Sequence, residues 1–456
     1  VPADVIATVM VLQALEGLSD REAIARLRTD ISWKVACGLP LDDEGFHPTV
    51  LVLWRNKLRR SDNPERIFEA VRKVVDSSGV LSRRNRRALD STVLEDAVQR
   101  QDTITLLQSQ IRRVRKLVPM LAERVYVHES NLGPGRPPCD YEDQADIDRV
   151  ISELVEDAYE LIWASEDLGI DLDETQQQAI ALLALLAGQD VEPVPDKPGR
   201  WRIANKTAPN RVLSSVDSES RHAHKTHHSY RDGFKGHVSV EPETGLVTAA
   251  ELTAGNTCDG EVALDLLTDE PSGTVVLGDA AYGSGELRHE LMSAGFSPVI
   301  KPMPARPPVK GGFSIDDFEI DEEQNTITCP NGATVKISPS RRARFAKFCA
   351  TCPMRRRCTT SRHGRTIVLN RHHTLLADAR RQAMTDEFQD LYRTYRPMVE
   401  RTIAWLVRGP NRKVRYIGIE RNRLWLTHRV AAVNLKRLLT LGLSRQDGAW
   451  VIVPTL

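Results

Sequence analysis

Two aspartates and a glutamate stand where a chain can carry out chemistry on phosphates. Asp279 ends an apolar run in VVLGDAAYGSGEL, followed by a Gly-containing turn and a helical pattern. That order delivers a carboxylate to the carboxyl end of a strand, where open α/β sheets build active sites, unless it only caps the next helix. Asp90, in RALDST, follows a short apolar stretch and is read the same way, at the end of a strand. Two such carboxylates are the minimum scaffold for magnesium, a hard cation that takes oxygen ligands. Glu400 is the third acid: Arg393, Arg396 and Glu400 recur at helical spacing, so a carboxylate and two phosphate-binding guanidiniums come close together. Pro397 in that run favours a helix start. Glu420, in IGIERNRLWL, is the competing carboxylate.

A second constellation is built from sulfur. Cys329 opens CPNG, Cys349 and Cys352 form a C-x₂-C pair, and Cys358 follows. Such turns present thiolates to tetrahedral structural zinc; the alternative is a set of reduced thiols in a small β-rich insert. Cys37, Cys139 and Cys258 are isolated and read as core residues or free thiols. His222, His224, His227 and His228 match no ligand spacing and read as a solvated loop. Asp217, Glu219, Arg221 and Asp259 read as turn and cap residues, with support of the acidic site as the alternative.

These residues need elements to hold them. Residues 1 to 79 are helical in pattern: Val5, Ile6, Val9, Leu12 and Leu15 recur at helical spacing, Ser19 to Glu22 is a capping box, and Pro48-Thr49 opens a helix ending in RNKLRR. A basic helix after a turn is compatible with DNA binding through Arg55, Arg59 and Arg60. The first residue is Val1, so a further N-terminal segment is expected. A helical pattern runs from Val93 to about Gly188, interrupted by SNLGPGRPPCD. Strand signals then gather at Phe234–Val240, Leu246–Leu252, Thr274–Leu277 and Phe296–Ile300, with Pro242 to Gly245 as a hairpin turn and helices at Asp259–Leu267, Glu286–Ala294 and Asp386–Leu441. The order predicts a mixed α/β domain.

With those elements in place, RRALDSTVLEDAV, FKGHVSVEPETGLVTAAELTAGNTCDGE, VVLGDAAYGSGEL and YRTYRPMVERTIAWL resemble, in this order, the signatures of bacterial insertion-sequence transposases of the DDE class. The resemblance implies an RNase H-like catalytic core in which Asp90, Asp279 and Glu400 hold two magnesium ions, or manganese in their place. In the last block Arg396 and Glu400 keep the family spacing, Tyr392 falls one residue early, and Arg408 stands one residue late where a Lys is expected. The implied reaction is cleavage at transposon ends, then strand transfer of the 3′-hydroxyl into target DNA. The rivals are a metal nuclease of the same fold that does not join, and an inactive DNA-binding descendant. Trp405 is read as a core aromatic, with stacking on a displaced base as the alternative.

Charge fits a DNA partner only locally. The chain holds 62 basic and 62 acidic residues, which argues against a general polyanion binder. Between Glu323 and Asp378, however, no acid occurs, while Arg341, Arg342, Arg344, Arg355, Arg356, Arg357, Arg362 and Arg365 do. The expected organisation is a helical DNA-binding domain over 1–79 and an RNase H-like domain over 80–456, interrupted by a helical insertion (93–205) and a cysteine-rich zinc insert (310–370). The expected partners are terminal inverted repeats and target DNA, bound by a homodimer. No apolar run reaches the roughly 20 residues a bilayer needs, and a cytoplasmic, nucleoid-associated protein is expected.

Overall fold

The computed structural model describes residues 1–167, 171–226 and 229–453. Asp90 lies on β1 (Arg86–Glu95), about which the main sheet is built. The sequence reading ends this strand at Asp90 and begins a helix at Val93; the strand instead runs through Glu95. Thr92 and Val93 are β-branched, and antiparallel pairing continues from Ala88 opposite Val240 to Glu95 opposite Gly233, which keeps the segment extended. Asp90 is therefore interior to its strand.

Ahead of β1 come α1 (Ala3–Glu16), α2 (Asp20–Thr29), α3 (Ile31–Ala36), α4 (Thr49–Arg59) and α5 (Arg66–Ser77). Ser19 caps α2 by accepting from Glu22 N, and the Glu22 carboxylate accepts from Ser19 N. Val9, Leu27, Leu51 and Val71 from these helices share one hydrophobic cluster with Ala88, Val240, Val399 and Leu424. The N-terminal helices thus pack into the core that carries β1.

After β1 the chain forms α6 (Thr103–Leu117), α7 (Pro119–Arg124), α8 (Gln144–Asp167), α9 (Glu174–Gln189) and a short ladder of β2 (Val191–Pro193) with β3 (Trp201–Ile203). This insertion has a separate core, including Leu107, Ile111, Leu154, Val155 and Leu183. Its loop is pinned by buried Asp157, which accepts from His128 N at 3.1 Å and from Asn131 Nδ2 at 2.5 Å.

The sheet is completed by β4 (Arg221–Thr226), β5 (Ser229–Glu241), β6 (Leu246–Ala254), β7 (Val275–Gly278) and β8 (Ser297–Ile300). β5 pairs antiparallel with β1, β4 and β6, whereas β1, β7 and β8 are parallel, so the order across the sheet is β6-β5-β1-β7-β8 with β4 also on β5. The fold is mixed α/β, as expected. Side chains alternate across the sheet. Ala88 and Leu277 enter the cluster that holds Val399 and Leu424, whereas Leu89 and Val276 enter a second one with Leu266, Leu287 and Leu291. The segment from Asp259 to Leu267, expected as a helix, forms two 3₁₀ turns joined by bonds such as Ala263 N to Gly260 O and Leu267 N to Leu264 O.

Beyond β7 lies α10 (Gly285–Ser293), and after β8 comes a small unit of β9 (Glu319–Asp321), β10 (Thr326–Thr328), β11 (Thr334–Lys336), β12 (Arg342–Arg344), α11 (Ala346–Cys349), α12 (Arg355–Cys358) and β13 (Thr366–Val368). Three helical segments follow: α13 (His373–Gln382), α14 (Asp386–Leu406) and α15 (Ile419–Thr440), then a hairpin of β14 (Leu443–Gln446) and β15 (Ala449–Ile452). Pro397 does not start a helix; it sits inside α14, where it leaves the Arg393 carbonyl without its helical N–H donor. Packing of Val399, Thr402 and Leu406 into the protein holds the helix continuous through it. α15 is capped from afar. Asp217 Oδ2 accepts from Gly418 N and Glu219 Oε2 from Ile419 N, both at 2.9 Å. Gly418 has φ 86°, and a Cβ there would lie 2.8 Å from Glu219 Oε2, so glycine is required. Asn434 on α15 donates to Val247 O at 2.8 Å and accepts from Val247 N at 2.9 Å, tying the helix to β6. No described helix is long and apolar enough to cross a membrane.

Candidate active site

Register brings the two aspartates together. The parallel ladder of β1 and β7 ends with Ala88 opposite Leu277, and Asp90 and Asp279 each stand two residues further on. Adjacent strands lie about 4.8 Å apart, so the two carboxylates become neighbours. Their coupling is visible in Asp90: burial pushes its carboxyl above the usual range, Arg396 opposes the shift, and the charge on Asp279 adds to it. Asp279 also caps the 3₁₀ turn after β7, its Oδ1 accepting from Ala281 N at 2.9 Å. The cap reading and the strand-end reading both hold for this residue.

α14 crosses this point with Arg396, which is 4% exposed. Its Nη2 lies 3.1 Å from Asp90 Oδ2 and its Nη1 3.7 Å from Glu400 Oε1, one turn further along the helix. Burial disfavours the charged guanidinium, yet Asp90 and Asp279 outweigh it and the pKa is raised. Arg396 Nε and Nη1 are buried without a hydrogen-bond partner among the described residues, so the guanidinium has donor capacity to spare. Tyr392 shares this environment: burial raises its phenol pKa, Arg396 opposes, and Asp279, Glu400 and Asp90 each add to it. The Glu400 side chain is 69% exposed. Glu420 is elsewhere, its Oε2 2.7 Å from Arg59 Nη1.

Asp90 and Asp279 fit a hard divalent cation by chemistry: both offer carboxylate oxygens, and one is held protonation-prone by burial and by the other's charge, which a cation between them would offset. Among the described residues no group of three or more His, Cys, Asp and Glu side chains is arranged to hold a metal ion, and Glu400 reaches the pair through Arg396.

The opposite face of β1 carries a second polar group that sequence reading did not assemble. Ser91 Oγ donates to Asp259 Oδ1 at 2.9 Å, Lys235 Nζ lies 3.1 Å from the same oxygen, and His237 Nδ1 lies 3.8 Å from it. Burial lowers the His237 pKa to about 4, with Asp259 opposing. Tyr282, three residues beyond Asp279, is 1% exposed, and its hydroxyl has no hydrogen-bond partner among the described residues. Its phenol is raised well above the ordinary value by burial, then by Asp259, Asp90 and Asp279. The available signal was position alone, since Tyr282 stands within the Asp279 block.

Cys329, Cys349, Cys352 and Cys358 all line one cavity of about 20 Å³ inside the small unit of β9 to β13, and none forms a disulfide. Burial raises the Cys358 thiol, Arg365 lowers it, and Cys349, Cys329 and Cys352 each raise it further. The four sulfurs therefore face a common space, although they do not stand as a formed ligand set among the described residues.

The basic residues separate by use. Arg55 pairs with Asp20 and stacks over Tyr416 at 5.5 Å, and Arg59 holds Glu420, so both serve internal contacts. Arg60, Arg356 and Arg393 are exposed. Arg355 Nη2 donates to Arg362 O at 3.0 Å, and Arg357 lies over the Phe313 ring at 4.9 Å. Trp405 packs against the main core with Arg437 over its ring at 5.4 Å, in keeping with a core aromatic. Asp217 and Glu219 are cap residues, as read. His222 Nδ1 lies 2.5 Å from Asp232 Oδ1, and the His224 side chain, His227 and His228 lie outside the described residues.

Residues 328–439 match a family model described as a transposase DDE domain, and residues 1–57 match one described as a transposase domain. The first match spans the four cysteines, α13, α14 and nearly all of α15, with Glu400 inside it, and ends short of Asp90 and Asp279. Comparison with curated proteins and with solved structures gives no match.

Proposed function

Starting from a chain that belongs to the insertion-sequence DDE transposases, polynucleotidyl transferases and endonucleases whose substrate is DNA, we propose that it cuts transposon ends and joins the freed 3′-hydroxyl to target DNA at the site formed by Asp90, Asp279 and Glu400. The observation that carries this reading is Arg396, which reaches from α14 to Asp90 on β1 and to Glu400 on its own helix. The strand order β6-β5-β1-β7-β8 supports an RNase H-like core, with the first acid on β1 and the second directly after its parallel neighbour β7.

In the first step the oxygen of water bonds to the scissile phosphorus and the 3′-oxygen of the transposon strand leaves. In the second, that 3′-hydroxyl attacks a target phosphate, one phosphodiester bond forms as another breaks, and its proton passes to solvent. No covalent bond to the protein is needed. Magnesium or manganese held by Asp90 and Asp279, with Glu400 alongside, would activate the attacking oxygen and stabilise the leaving one. Arg396 and Arg393 supply positive charge for the phosphate, and Arg396 opposes the upward push that burial gives the Asp90 carboxyl. Asp279 is oriented by its bond from Ala281 N.

Zinc at Cys329, Cys349, Cys352 and Cys358 would hold the small insert together, since such a unit has too little apolar core of its own. Arg355, Arg356 and Arg357 beside it, with Arg60 on the N-terminal module, suit contacts to the DNA backbone. Binding at paired terminal repeats by a homodimer follows from the two-ended substrate.

The test incubates the purified chain with DNA ending in the element's inverted repeats, a target plasmid and magnesium. Joined product is expected. Nicked DNA without joining would favour a nuclease, and no cleavage would leave only DNA binding.

A further inference from the structure

The Tyr282 hydroxyl is the buried donor that the site as described leaves idle. Tyr282 follows Asp279 by one 3₁₀ turn, its N–H bonding to Asp279 O at 3.2 Å, so its place is fixed by the same turn that presents the aspartate. Its ring packs against Gly278, where a Cβ would meet Tyr282 Cβ at 3.1 Å; the missing side chain lets the ring lie close under the end of β7. The residue is 1% exposed, and its hydroxyl has no partner among the described residues. A buried hydroxyl without a partner costs free energy and calls for an explanation.

Charges around the ring supply one. Asp259, Asp90 and Asp279 are the acids that act on this phenol, and Arg396 is the cation. Asp259 is already served by Ser91 and Lys235. Asp90 accepts from Ser91 N and faces Arg396, and Asp279 accepts from Ala281 N. Each catalytic carboxylate has only a few donors in this structure, and a carboxylate can accept several hydrogen bonds. A neutral phenol buried one 3₁₀ turn beyond Asp279, with Asp259, Asp90 and Asp279 acting on it, has a donor to offer.

We propose that Tyr282 is a positioning residue for cation binding: its hydroxyl donates to an oxygen of the Asp90/Asp279 pair when those acids are drawn to a divalent cation, fixing the carboxylate that the cation uses. The inference rests on the metal reading of the site given above. Groups that orient metal ligands in this way change metal affinity by roughly tenfold to a hundredfold when removed.

Tyr282→Phe deletes the hydroxyl and keeps the ring. Titration of the full-length protein with Mn²⁺ alone, followed by calorimetry, is compared for wild type, Tyr282→Phe and Asp279→Asn, with melting temperatures measured without metal. The expected result is roughly tenfold or greater loss of Mn²⁺ affinity in Tyr282→Phe, with a metal-free melting temperature equal to or above wild type, because an unpartnered hydroxyl has been removed. Equal Mn²⁺ affinity in Tyr282→Phe, with wild-type binding that Asp279→Asn abolishes, overturns this inference and leaves the proposed function standing. A lowered metal-free melting temperature also overturns it, since the hydroxyl would then serve the empty fold. Wild-type protein without any Mn²⁺ binding that depends on Asp279 overturns both.

Discussion

Arg396 Nη2 lies 3.1 Å from Asp90 Oδ2, a buried contact between a helix near the carboxyl end of the chain and the first strand of the sheet. Removing one partner of such a pair strands the other charge, at a cost of about 3–5 kcal/mol. Arg396→Ala is expected to lower the melting temperature by several degrees and to abolish end cleavage. In Asp90→Asn/Arg396→Met the loss of stability should be smaller than the sum of the single losses, which thermal melting of the four proteins checks.

Asp279 behaves differently, because its charge opposes ionisation of Asp90. Asp279→Asn removes that repulsion and keeps the cap acceptor for Ala281 N. Cleavage should be lost with no fall in the metal-free melting temperature. Glu400→Gln should likewise abolish cleavage, whereas Glu420→Gln, whose carboxylate is largely exposed where it meets Arg59, should leave the cleavage rate within about twofold and stability within about 0.5 kcal/mol.

Those contrasts also mark what the sequence could convey. The strand-end place of Asp279 was legible because strand, turn and helix follow one another locally there, and the Ser19 to Glu22 capping box is a four-residue pattern. The extent of β1 was not, since residues after Asp90 are held extended by β5, more than a hundred residues away. Long separation in sequence likewise hid which helix Asp217 and Glu219 cap and the use of Arg59 to hold Glu420. Pro397 misled because local chemistry disfavours a helix interior, and the packing of α14 overrides it. Tyr282 carried no spacing signal; only burial and the acids around it single it out.

Acid should weaken the fold through two buried histidines. Burial lowers both His237 and His428 to about 4, with Asp259 opposing for His237 and Arg55 adding to it for His428. Between an unfolded value near 6.5 and a folded value near 4 the unfolded chain binds more protons, so stability is full above about pH 6.5 and falls as pH drops, by up to about 1.4 kcal/mol per unit for each histidine. Denaturant melts from pH 7 to pH 4 should show this slope, and His428→Leu should reduce it.

If zinc holds the small insert, protein purified without added metal will carry about one zinc ion per chain, and chelation will expose the four thiols to a thiol reagent. Cys352→Ser should lower zinc content and raise proteolysis between β9 and β13, while the main sheet keeps its melting transition. Metal analysis and limited proteolysis decide this.

The central claim is that the Asp90/Asp279 pair holds the catalytic cation. Anomalous diffraction from crystals soaked in Mn²⁺ tests it directly: the account predicts a peak at about 2.1–2.3 Å from a carboxylate oxygen of each aspartate. Soaked crystals with no peak between Asp90 and Asp279, or with the ion bound at other carboxylates, would contradict it.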